Sequence, residues 1–78
     1  MENNKFEMIL QVISAGLIEK IIIENKIDEN IAIHKLYSSK LYAVLENEKN
    51  KVWHYSVHKL FEIWEKEQKT GNVLLPAF

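Results

Sequence analysis

The sequence predicts an all-α fold, a compact three- or four-helix domain with an apolar C-terminal tail. Apolar residues recur at the three- and four-residue spacing of helices and do not alternate as they would in strands. Only two Gly and one Pro interrupt the 78 residues, and 47% of the residues are hydrophobic. A chain of this length has material for one small core and no more. We therefore expect a single helical domain over residues 1–78.

The first helix is predicted over about residues 4–25. Asn4 can cap it, and Glu7 follows three residues later, which is the spacing of a capping box. Apolar side chains occupy most of the circumference and leave a narrow polar face of Glu7, Gln11 and Ser14. Two interpretations stay open: the helix is central and covered by the others, or part of it is a dimer or partner surface.

Two helices are predicted next, over about residues 28–38 and 39–46. Asp28 is a favourable cap for the first of them. Ser39 can cap a separate short helix, or Ser38 and Ser39 can lie inside one helix of about 18 residues, because serine is only mildly unfavourable there. The sequence slightly favours the break. Residues 46–51 are charged or Asn and carry no apolar anchor, so we expect an exposed loop or turn.

The last helix is predicted over about residues 56–70. Ser56 is its cap, Gly71 is its stop, and Leu60, Phe61 and Trp64 form its buried side. The paired acids Glu65 and Glu67 are expected to be solvated on the exposed face of this helix. The tail, residues 72–78, is apolar, so it either docks against the chain's own core or reaches a partner. Docking within the chain is the favoured alternative.

Composition narrows the function and the location. The absence of Cys excludes a disulfide scaffold, a zinc ribbon and a thiol nucleophile. Ten Lys, no Arg and eleven acidic residues give a net charge of −1, which argues against binding to nucleic acid. The apolar run that starts at Met8 is shorter than the roughly 20 residues of a membrane span, and no secretory signal precedes it. We expect a cytoplasmic protein without a membrane segment.

One group of side chains has the spacing of metal ligands. His54, His58 and Glu62 would share a face if the last helix extended back to His54. A cap at Ser56 places His54 before that helix, and a metal site needs further ligands. No Gly-rich phosphate loop is present, and the spacing selects no serine, histidine and acid trio. We predict no metal, no cofactor and no catalytic residue.

A pattern of apolar, aromatic and polar residues spans the second half of the chain; it consists of Ala32, Tyr37, Ser39, Tyr42, Leu45, Val52, Ser56, Phe61, Glu62 and Glu67. With these residues the chain resembles a family of small uncharacterised bacterial helical proteins, a domain of unknown function, over about residues 32–67. Leu36 stands where the family usually has Phe, and Trp53 where it often has Tyr. The resemblance implies a small helical protein of bacterial accessory gene clusters, in a setting similar to that of antitoxins.

Two functions from different classes are compatible with the sequence. The first is a non-enzymatic protein–protein interaction module, with an antitoxin-like role, that binds a protein partner or forms a homodimer. The alternative is a small helical nucleic-acid-binding transcriptional regulator, because elements of helix-turn-helix size flank Ser38 and Ser39 and lysines lie nearby. For the first, apolar and aromatic residues are the expected partner-binding residues. They are Leu17, Ile18, Ile22, Tyr42, Trp53 and Tyr55.

Overall fold

The computed structural model describes residues 2–73, with side chains from Lys5 onward, and confirms an all-α fold. No strand occurs in this part of the chain. The predicted tail falls largely on residues 74–78, which lie outside the described residues. The four α-helices are α1 (Glu2–Asn25), α2 (Glu29–Tyr37), α3 (Lys40–Leu45) and α4 (Val57–Thr70), and two 3-10 helices, Glu48–Asn50 and Val52–His54, join α3 to α4.

Helix α1 begins and ends in ways that the sequence did not indicate. It begins at Glu2, so Asn4 lies inside the helix and is not its cap. Asn costs only a few tenths of a kcal/mol in a helix interior, and the backbone continues through it. After Asn25, Lys26 adopts a left-handed conformation with φ 56°. The Lys26 amide donates to the Ile22 carbonyl at 2.8 Å, so a lysine closes this helix where glycine is usual.

The chain breaks between α2 and α3 at the two serines, as the sequence favoured. Asp28 caps α2 by accepting a hydrogen bond from the Asn30 amide at 3.0 Å. Ser39 Oγ caps α3 by accepting from the Tyr42 amide at 3.1 Å, and it donates to the Leu36 carbonyl. One hydroxyl therefore satisfies polar groups at the end of one helix and the start of the next.

Helix α3 is also capped from α4, through Glu67. The two carboxylate oxygens of Glu67 accept from the amides of Lys40, at 2.7 Å, and Leu41, at 3.0 Å. Glu67 is buried, so the expectation that it is solvated is wrong. It lies one and two turns after Trp64 and Leu60, on the inner face of α4. Lys40 Nζ also donates to the Gly71 carbonyl at 2.7 Å and ties the two helices together a second time.

Both ends of α4 follow local sequence signals. Ser56 caps its start by accepting from the Lys59 amide at 3.1 Å. Gly71 follows its end with φ 80°, a conformation that glycine adopts at no steric cost. Gly16 of α1 permits a close approach at the start of α4, because a Cβ added there would lie 3.2 Å from Val57 Cγ2.

The core draws on all four α-helices and on Val52 of the second 3-10 helix. Helix α1 contacts α2, α4 and the second 3-10 helix, so it is the element around which the others pack. Its 24 residues make a rod of about 36 Å, close to the 37 Å long dimension of the molecule. Burying these side chains is the main favourable contribution to folding. They are Ile13, Leu17, Ile21, Ala32, Leu36, Leu41, Leu45, Val52, Leu60, Phe61, Ile63 and Trp64.

Candidate functional site

Leu17, one of the six predicted partner-binding residues, belongs to the core. Its side chain is completely buried. Ile13 and Ile21 stand one turn before and after it, and all three lie on the inner side of α1. A partner cannot reach Leu17 in this fold. The prediction that Leu17 binds a partner is therefore replaced by a role in core packing.

Three further predicted residues are half-buried and engaged within the chain. Ile22 packs against the core. The Trp53 indole N–H donates to the Glu48 carbonyl at 3.0 Å, and its ring packs edge-on against Phe6, with 6.2 Å between the centroids. Tyr55 lies beside the His54 ring, which is 5.6 Å away. Trp53 therefore anchors the α3–α4 connection to the start of α1.

The last two predicted residues, Ile18 and Tyr42, meet at one groove. The groove has a volume of about 420 Å³ and lies between α1 and two tyrosines from the α2–α3 segment. The rings of Tyr37 and Tyr42 are 4.7 Å apart and tilted by 52°. The other wall is formed by α1 side chains, which are Glu7, Leu10, Gln11, Ser14, Ala15 and Ile18.

Ser14 is the unusual polar side chain of this groove. The sequence placed it on the polar face of α1, but only 4% of its surface is exposed. Its hydroxyl oxygen is closed to solvent and has no partner that meets strict hydrogen-bond distances and angles. A side-chain hydrogen bond between Ser14 and Tyr42 nevertheless acts to lower the pKa of that tyrosine. Because the Ser14 oxygen is closed to solvent, Tyr42 is the polar group that it serves, and the oxygen is not available to a ligand in the groove.

One carboxylate lies at the groove, and a second one acts on Tyr42. Glu7 is the only acidic or basic side chain among its lining residues in the described part of the chain. The pKa of Tyr42 is raised above its ordinary value, first by burial and then by Tyr37 and the Glu46 carboxylate, and these effects exceed the opposing effect of Ser14. A phenol with a raised pKa remains a neutral hydrogen-bonding group at physiological pH.

A second surface adjoins the groove along α1, and we call it the α1 stripe: Met8, Val12 and Ile23. Their side chains are 66%, 73% and 63% exposed. Helical geometry places them on one side of α1, with Ala15 and Glu19 between Val12 and Ile23. Met8 and Val12 border an apolar hollow of about 320 Å³. Large apolar side chains grouped in this way mark interaction surfaces more often than those scattered singly.

The histidine group that had metal-ligand spacing is divided between two elements. His54 ends the second 3-10 helix, whereas His58 and Glu62 lie on α4. His58 Nε2 is 3.0 Å from Glu62 Oε2, and both side chains are largely exposed. Among residues 2–73, with side chains described from Lys5 onward, no three His, Asp or Glu are placed to hold a metal ion. No helix in the same range has the length and apolar character needed to cross a bilayer.

Comparison with known proteins adds no relative. Protein-family models, curated proteins and solved structures were searched, and none of them matches this chain. The resemblance over residues 32–67 therefore stays a prediction.

Sequence reasoning missed Tyr37 and Ser14 as lining residues of the groove. It included Met8, Val12 and Ile23 among the apolar residues of α1 without singling them out. A helical wheel of α1 places these three residues on one side, and this signal could have identified the α1 stripe from the sequence.

Proposed function

We propose that this protein is a non-enzymatic protein–protein interaction module that uses the α1 stripe. The observation that carries the proposal is the exposure of Met8, Val12 and Ile23 on one side of α1. Removing the apolar surface of these side chains from water would be favourable by about 25 cal/mol per Å². A protein partner or a second copy would remove that surface from water.

The groove beside the stripe supports the same proposal. Its tyrosines provide rigid aromatic surface next to apolar side chains, and Tyr37 is half-exposed. Aromatic residues of this kind contribute strongly to interface energies. An antitoxin-like role, in which the partner is a toxin encoded nearby, is the form of the proposal that the resemblance over residues 32–67 implies.

The nucleic-acid alternative has weaker support. Helix α3 is only six residues long, which is short for a helix that reads a DNA groove. Lys40 is one of the lysines near the serine break. Its ammonium group donates to the Gly71 carbonyl, and in this position it is less available to contact phosphates.

The proposal is tested first by light scattering of the purified protein and of a Met8→Glu, Val12→Glu double variant. A homodimer formed by the α1 stripe should become monomeric in the double variant, because two carboxylates would be buried at the contact. Ile31→Glu is the matched control, since Ile31 is also a large exposed apolar residue but lies on α2. It should leave the dimer intact.

If the unmodified protein is monomeric, the same variants are used with the product of the adjacent gene. Co-purification of that product should be lost with the double variant and kept with Ile31→Glu. For an antitoxin, co-expression should restore growth that the neighbouring product arrests, and the double variant should not. A monomer that binds the neighbouring product equally well with and without the α1 stripe, or does not bind it, would contradict the proposal.

A further inference from the structure

The exposed side of α1 carries a seven-residue repeat. Lys5, Val12 and Glu19 stand seven residues apart, and Met8 and Ala15 stand seven residues apart between them. All five residues are exposed to solvent. Seven residues are close to two helical turns, so the five lie along one nearly straight line of α1. A repeat of this kind is typical of a helix that packs lengthwise against another helix.

The two charged residues of this repeat lie at equal distances from its centre. Lys5 is seven residues before Val12, and Glu19 is seven residues after it. Each is therefore about 10 Å from Val12 along the helix axis. Along this line the charge is positive before Val12 and negative after it. A second copy of α1, turned end to end, presents the opposite order of charges.

This order of charges distinguishes between two ways of pairing α1 with α1 of a second copy. In a parallel pair, Lys5 would meet Lys5 and Glu19 would meet Glu19, so like charges would repel at both ends. In an antiparallel pair with its twofold axis near Val12, Lys5 of each copy would lie opposite Glu19 of the other. Both contacts are then attractive, and charge pairs of this kind set the orientation of paired helices.

The uncharged residues of the repeat also fit an antiparallel pair. Met8 is four residues before Val12 and Ala15 is three residues after it, so Met8 of one copy would lie close to Ala15 of the other. A large side chain then faces a small one, an arrangement that lets two packed surfaces interdigitate. The apolar hollow that Met8, Ile9, Val12 and Ile13 border would receive a side chain of the second copy.

We propose that the α1 stripe joins two copies of this chain into an antiparallel homodimer, with Lys5 of each copy paired with Glu19 of the other. The inference rests on the proposed function, because it names the occupant of the α1 stripe. A second copy is that occupant because the order of charges along this side of α1 complements itself.

The test reverses the two charges and measures the dissociation constant of the dimer by sedimentation equilibrium. Lys5→Glu and Glu19→Lys should each raise this constant by about tenfold, because each turns two attractive contacts into two repulsive ones. The variant that carries both substitutions restores the attraction, so its constant should lie within about threefold of that of the unmodified protein. In a parallel pair, like charges would face each other in all four proteins, and the reversals would have no effect.

Lys35→Glu is the matched control, because Lys35 is exposed on α2 and its reversal changes the net charge by the same amount as Lys5→Glu. Alone it should leave the dissociation constant unchanged. Combined with Glu19→Lys, it should fail to restore the dimer. Restoration by Lys35→Glu would show a general effect of net charge and would overturn the inference.

The remaining outcomes separate this inference from the proposed function. A monomeric unmodified protein would overturn the homodimer, whereas the proposed function would survive if that monomer binds the product of the adjacent gene through the α1 stripe. A dimer that dissociates in the Met8→Glu, Val12→Glu variant but is unaffected by the charge reversals would keep the proposed function and overturn the antiparallel pairing. Circular dichroism of each variant verifies that the helices remain folded.

Discussion

Glu67 is the single residue whose removal should cost the most through hydrogen bonds. Its carboxylate satisfies two amides at the start of α3, which have no partner within that helix. Glu67→Ala should lower the free energy of unfolding by about 2 to 3 kcal/mol, because it leaves a buried donor, the Leu41 amide, and a partly buried one, the Lys40 amide, without their acceptor. In a domain of this size the melting temperature falls by about 4 to 8 °C for each kcal/mol, and thermal circular dichroism measures it.

The matched control is Glu62→Ala on the exposed side of the same helix. Glu62 pairs with His58 and Lys59 at the surface, so its loss should cost less than about 0.5 kcal/mol. Equal destabilisation by the two alanine variants would contradict the capping role of Glu67.

Tyr42 should make stability depend on pH at the alkaline end. Its pKa in the folded protein is raised above the ordinary value of 10.0, so the unfolded chain loses this proton first as the pH rises. The stabilising contribution is fully present below pH 10 and is lost as the pH rises through the folded pKa. Urea unfolding from about pH 8 to pH 11 should show a steeper fall for the unmodified protein than for Tyr42→Phe. If the free energies of unfolding of the two proteins differed by the same amount across this pH range, Tyr42 would not be the source of the pH dependence.

At the level of the helix, the end of α1 carries avoidable strain. Lys26 is left-handed, which costs a side chain that is not glycine about 1 to 2 kcal/mol. Lys26→Gly should therefore raise the free energy of unfolding by about 0.5 to 1 kcal/mol, after the larger unfolded-state entropy of glycine is deducted. Lys35→Gly, inside α2, should have the opposite sign and cost about 1 kcal/mol. If thermal unfolding shows both variants destabilised alike, the strain at Lys26 is not relieved by glycine.

The helices themselves could be predicted because their signals are local. Asp28, Ser39 and Ser56 cap helices through amides two or three residues away, and Gly71 ends one through its own backbone freedom. The left-handed Lys26 could not be predicted, because lysine has no local preference for that conformation.

The candidate site was less accessible to sequence reasoning than the helices. Glu67 caps amides 26 and 27 positions away, although its place one turn after Trp64 indicated the inner face. Ser14 looks solvated in the α1 pattern and is buried, in a groove that α1 forms with Tyr37 and Tyr42. Such pairings depend on how helices meet, and the pattern along one helix does not contain that information.

At the scale of the whole molecule, the shared core predicts that the chain unfolds as one unit. All four helices and Val52 contribute buried side chains to a single cluster, and α1 contacts α2, α4 and the second 3-10 helix. Small single domains of this kind usually unfold in one cooperative transition. The two tryptophans allow a test because they report on different places. Trp64 is buried and stacks on Phe61, whereas Trp53 is half-buried beside Phe6.

Each tryptophan can be observed alone in a variant that replaces the other by phenylalanine. Within each variant, the urea midpoint from fluorescence should equal the midpoint from circular dichroism, with a slope of about 1 kcal/mol per M. The comparison is made inside one protein, so the stability lost by removing a tryptophan does not affect it. In Trp64→Phe, a fluorescence change at lower urea than the loss of helix would contradict the prediction. The α3–α4 connection would then separate from α1 before the core unfolds, and Trp53 would be freed from Phe6 in a protein whose helices remain intact.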